Sequence, residues 1–156
     1  WGPLDYLVID LPPGTGDVAL SLVQLLPLTE AVIVCTPQDV ALLDATKAMA
    51  MFRKLQIELL GMIENMSYFL CTGCGMRHEI FGSGGARRRA EELQTPFLGE
   101  IPLTISLRRL CDEGRLAEVW QDPLMADCLQ AICKQLVRQA VQVRQQKAHP
   151  IQLPVL

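Results

Sequence analysis

Four short apolar runs, at residues 6–9, 31–35, 59–63 and 97–101, alternate with longer segments whose apolar residues recur every three or four positions. That alternation leaves few folds open. Continuous apolar runs of this length are strands buried on both faces, and the segments between them are helices covering those faces. The expected class is therefore α/β, a partial doubly wound, mostly parallel sheet with helices on both faces. The punctuation agrees. Residues 6–9 end at Asp10 and run at once into Leu11-Pro12-Pro13-Gly14-Thr15-Gly16-Asp17, where prolines and glycines cannot extend a strand. Asp17 is placed to cap a helix over 18–26. Further helices are expected over 38–55, with Ala41, Leu42, Ala45, Met49 and Phe52 on one face, over 84–93, from 106 onward and over 122–146. A tail over 147–156 carries two prolines and reads as disordered or partner-bound.

Composition narrows the function classes. A chain of 156 residues, 50% hydrophobic and 20% charged, can bury roughly 70% of its unfolded surface in one core. The net charge of −3 supplies no basic field, so neither nucleic acid nor an anionic membrane is an expected partner. Arg87-Arg88-Arg89, the one basic cluster, falls at helical spacing and reads as a solvated face. No apolar run approaches the roughly 18 residues that span a bilayer, and no charged-then-apolar leader opens the chain. Six cysteines then point to a reducing compartment: the cytoplasm, or alternatively a mitochondrial or plastid matrix. The chain opens on Trp1-Gly2-Pro3-Leu4, without an initiator methionine and almost on top of a run that needs a strand on each side. A portion of a longer protein, its N-terminal strands absent, is the expectation.

Two features carry chemistry. Asp10 ends a buried strand, where open α/β sheets bind ligands, and its carboxylate suits Mg²⁺ beside nucleotide phosphates; the glycines after it allow backbone amides to approach a phosphate closely. An Asp that merely enters a helix is the structural alternative. Cys71 and Cys74 form a CxxC pair in a glycine-bearing loop, and the turn between them brings both sulfurs to one side of a metal centre. Zinc held by Cys71, Cys74 and His78 is one rival. A thioredoxin-type redox pair is another, disfavoured because Gly73 and Gly75 make a poor helix start. Cys35 falls in a strand pattern, Cys128 and Cys133 on a helical one, and Cys111 reads as a partly buried thiol.

Several strings in register resemble one family. DYLVIDLPPGTGD at 5–17, TPQDVALLDATKAMAMF at 36–52, GMIENMSYF at 61–69, CTGCGMRHEIFGSGG at 71–85 and PFLGEIPL at 96–103 are similar to the Mrp/ApbC iron–sulfur cluster carriers, P-loop ATPases related to the MinD-like deviant-Walker group. The resemblance covers residues 4 to about 119 and weakens over the final helix. It implies a P-loop NTPase fold, with Asp10 as the Walker B aspartate and Pro13, Gly14, Thr15 and Gly16 as the segment sensing the γ-phosphate. Asn65 becomes the asparagine that hydrogen-bonds adenine, and Pro102 the residue flanking the base after the fourth strand. Turn closure by Asn65 and strand termination by Pro102 are the alternatives. Cys71 and Cys74 become the cluster ligands.

The resemblance further implies a homodimer whose two CxxC loops share a [4Fe-4S] cluster, apo iron–sulfur proteins as acceptors, and slow hydrolysis of ATP with Mg²⁺ in the complete protein. A MinD/ParA-like partitioning ATPase with structural zinc at the CxxC is the alternative function. Two departures stand out. Thr104-Ile105-Ser106 replaces the acidic-proline turn expected after Pro102, and no GKGGVGK-type Walker A stretch occurs in the sequence. That loop cradles the phosphates, so the 156 residues alone are expected to bind ATP poorly or not at all.

Overall fold

The computed structural model describes residues 2–12 and 16–147. Three strands form a parallel sheet: β1 (Glu30–Cys35) pairs β2 (Glu58–Leu70), which pairs β4 (Phe97–Leu103) on its other side. A short antiparallel strand, β3 (Arg77–His78), folds back on the far end of β2. The helices are α1 (Asp17–Leu25), α2 (Asp39–Lys54), α3 (Gly85–Glu92), α4 (Ile105–Asp112) and α5 (Pro123–Lys147), with a 3₁₀ turn over Leu116–Gln121. No helix among the described residues is long and apolar enough to cross a membrane.

Strand alternation divides the core in two. On one face of β2, Met62 meets Leu42, Ala45, Met49 and Phe52 of α2 and Ala86 and Ala90 of α3. On the other, Ile63 packs with Leu98 of β4 and Ile132 of α5. Two strand glycines permit close approaches. A Cβ at Gly61 (φ 154°) would stand 2.7 Å from the Pro96 carbonyl oxygen, and one at Gly99 (φ 152°) 2.6 Å from Cγ1 of Ile132. At the exit of α3, Arg53 of α2 donates to the Leu93 carbonyl and, at 2.9 Å, to the Thr95 hydroxyl.

The structure corrects four expectations, the simplest being that Cys111, expected to be partly buried, is exposed on α4. Residues 6–9 form no strand: Tyr6, Leu7 and Val8 are exposed, Val8 at 89%, and no strand among the described residues pairs with them. An apolar run becomes a strand only when a neighbour supplies its ladder. Here only Leu11 packs into the core, while the Tyr6 ring lies 5.2 Å from the Arg144 guanidinium. The N-cap of α1 is Gly16, and Asp17 is the first helical residue instead of the cap. The third and fourth strands outrun their apolar runs, because Asn65 lies inside β2 and Pro102 inside β4. A proline without an amide donor is tolerated there, since among the described residues β4 pairs only β2 and shifts register beside that point. Residues 148–156, most of the expected tail, lie outside the described residues.

Candidate functional site

Three side chains stand in register across the carboxyl ends of the parallel strands: Cys35 on β1, Glu64 on β2 and Glu100 on β4. Open α/β sheets bind ligands at this edge. Asn65 follows Glu64, and its Oδ1 accepts the Met66 amide at 2.9 Å. Met66 takes a left-handed φ of 54°, where β2 shifts its register against β4. Pro102 is fully buried. Asp10 sits at the end of the exposed stretch 2–10 and Gly16 caps α1, while Pro13, Gly14 and Thr15 lie outside the described residues. No hydrogen bond or ion pair among the described residues joins Asp10 or Gly16 to Asn65 or to the cysteines.

Beyond Asn65, β2 continues to Leu70 and turns through residues 71–76 into β3. The Cys71 amide donates to the Met76 carbonyl at 2.9 Å, and the Gly75 amide donates to the Cys71 carbonyl at 2.8 Å. Gly75 holds φ 70°, a left-handed turn that glycine adopts without steric cost. Cys71 is half-exposed and Cys74 exposed. The backbone amides of Cys74 and Gly73, together with the Cys74 thiol, hold the Cys71 thiol below its ordinary range. A thiolate is the form that ligates metal, so this tip is prepared to act as a ligand.

Two sulfurs are what the tip offers. Among the described residues, no three His, Cys, Asp or Glu side chains gather as a metal-binding group. His78 lies on β3 across from Phe69, their rings 6.4 Å apart. Charged contacts clasp the hairpin to the sheet. The Arg77 guanidinium covers the Tyr68 ring at 3.8 Å and meets Glu100 at 3.4 Å, and Arg87 of α3 reaches the same carboxylate at 3.6 Å. Below the hairpin, Phe69, Ile80, Leu103, Thr104, Ile105 and Arg108 line an apolar cleft of about 260 Å³. The Thr104-Ile105-Ser106 departure falls at this cleft.

One residue at this edge escaped sequence reasoning. Glu64 is fully buried, accepting the Ser67 hydroxyl at 2.6 Å and the Ala86 amide at 2.7 Å. Its signal was a lone acidic residue inside the apolar string GMIENMS, a position that only a paired carboxylate can occupy.

A family model described as ParA, the NUBPL iron-transfer P-loop NTPase, matches residues 1–137. The chain belongs to this family. An iron-sulfur cluster carrier protein of Deinococcus radiodurans is 50% identical over 157 residues, covering 100% of this chain and 44% of the relative. The iron-sulfur cluster transfer protein NUBPL of Mus musculus is 52% identical over 115 residues, 74% of this chain and 36% of that one. The chain thus spans less than half the length of these curated relatives. Among solved structures, a nucleotide-binding protein in complex with ADP from Archaeoglobus fulgidus, with cobalt found by PIXE, superposes with a TM-score of 0.69. It is 45% identical, and the match covers 76% of this chain and 49% of that one. The α/β class expected from the strand and helix alternation, and the P-loop fold that the resemblance implied, are therefore those of this NUBPL-type chain.

Proposed function

We propose that this chain is the cysteine-bearing part of an iron–sulfur cluster carrier, in which Cys71 and Cys74 hold a [4Fe-4S] cluster and pass it to apo-proteins. One observation carries this reading: two thiols share one exposed hairpin tip whose backbone amides favour the thiolate of Cys71. A [4Fe-4S] cluster uses four thiolates. Two tips from a homodimer complete the set, and the exposed apolar side chains of Met76, Ile80 and Ile105 beside the tip suit a partner surface. Transfer is ligand exchange. An incoming acceptor thiolate forms an Fe–S bond as the bond to Cys71 or Cys74 breaks, and no electrons change hands.

ATP with Mg²⁺ belongs to the same reading. Asp10 would take the metal, the segment Pro13, Gly14, Thr15 and Gly16 the γ-phosphate, and Asn65 the adenine edge with Pro102 beneath it, so that occupancy biases the dimer and hence cluster release. Hydrolysis requires the full-length protein. The test is anaerobic reconstitution of that protein with iron and sulfide, followed by Mössbauer and absorption spectra. Wild type is expected to hold four iron and four sulfide per dimer, and Cys71→Ala and Cys74→Ala to lose them. Bound iron that is unchanged in both variants sinks the assignment.

A further inference from the structure

Glu64 is the only carboxylate in the core among the described residues, and no cation pairs with it. Burying such a group is costly unless both oxygens find donors. Both do. Oε2 takes the amide of Ala86 in the first turn of α3, and Oε1 takes the hydroxyl of Ser67. The helix needs this help, because its N-cap is Gly84 in a left-handed conformation, φ 63°, with no side chain to accept an amide. Glu64 supplies from β2 the acceptor that the cap lacks.

The two donors sit at opposite ends of one excursion. Ala86 is 22 residues after Glu64, and the chain between them includes the Asn65 register shift, the cysteine tip and β3. Ser67 lies within that shift, on the limb that leads to Cys71. Gly85 seats the returning limb so tightly that an added Cβ would stand 2.6 Å from Leu42 and 2.7 Å from the Pro37 carbonyl oxygen. We infer that Glu64 is a positioning residue for the cysteine hairpin: one carboxylate fixes both limbs at their base, through Ser67 on the outgoing limb and Ala86 on the returning one. The role in cluster holding rests on the carrier reading above. The role in fixing the hairpin does not.

Two arms test these separately in the full-length protein. In the apo form, hydrogen exchange is followed by mass spectrometry in wild type, Glu64→Leu, Glu64→Gln and Ser67→Ala. Leucine keeps the bulk and removes the acceptors, so exchange within residues 65–86 should rise at least tenfold while β1 and α2 keep wild-type rates. Glutamine keeps an acceptor for Ala86 and should stay within about threefold of wild type. In the cluster-loaded form, Glu64→Leu should start with wild-type iron content and release it to a chelator at least tenfold faster, with an altered visible circular dichroism.

Unchanged exchange at 65–86 in Glu64→Leu overturns the inference, and so does an equal rise across the whole sheet. If Glu64→Leu does not fold, Ser67→Ala decides: faster exchange confined to residues 65–70 supports the inference, and wild-type exchange there overturns it. Should wild type bind no cluster, the carrier reading fails while the exchange arm still stands or falls by itself.

Discussion

Cys71 and Cys35 are the same side chain in opposite settings. Backbone amides hold the Cys71 thiol down, whereas burial and the neighbouring Glu64 charge push the Cys35 thiol up to about 11. Burial and Glu100 also raise Cys128, whose thiol donates to the Glu100 carbonyl at 2.8 Å. A lowered pKa keeps thiolate present at lower pH, so Cys71 should alkylate with iodoacetamide at a pH where Cys35 and Cys128 stay intact. Peptide mass spectrometry across a pH series reads the order, and equal rates for Cys71 and Cys128 below pH 8 would contradict it. The CxxC pair was legible because its chemistry is local, two sulfurs and a turn within a few residues. Glu64 was not, because its partners Ser67 and Ala86 meet it only through the fold, and sequence spacing does not encode that meeting.

The elements tell a similar story. The runs at 31–35, 59–63 and 97–101 are strands because each finds a neighbour in the sheet. The run at 6–9 has the same composition and no partner among the described residues, so its apolar character alone does not make it a strand. What periodicity could not reveal is the length of β2, which passes Asn65 and carries on through Met66, at positive φ, to the cysteine tip. Pairing with β4 and β3 holds it extended there, not hydrophobicity. Gly61 marks the opposite end of the same strand. Gly61→Ala places a Cβ against the Pro96 carbonyl and Leu98 in a backbone conformation that L-residues rarely adopt. A loss of about 1–3 kcal/mol is expected from overpacking of this kind. A urea midpoint that falls with an unchanged slope would show it, and an unchanged midpoint would mean that the strand shifts to make room.

At the scale of the whole molecule, the sheet is asymmetric. β2 is covered on both sides, while β1 pairs only β2 among the described residues and shows Val34 at 58% exposure. Its outer row of amides and carbonyls is an unfinished ladder among the described residues, and residues 6–9 expose further apolar side chains. Such an edge templates the addition of another strand. Prepared alone, these 156 residues should therefore self-associate as concentration rises, with or without iron and equally in a Cys71→Ser/Cys74→Ser double variant. Sedimentation velocity on the two forms checks this, and a species that stays monomeric at high micromolar concentration would refute it. Stickiness of that kind is blind to sulfur. An oligomer seen by size alone is therefore no sign of a shared cluster, and dimer assays need the Cys71→Ser/Cys74→Ser variant as their baseline.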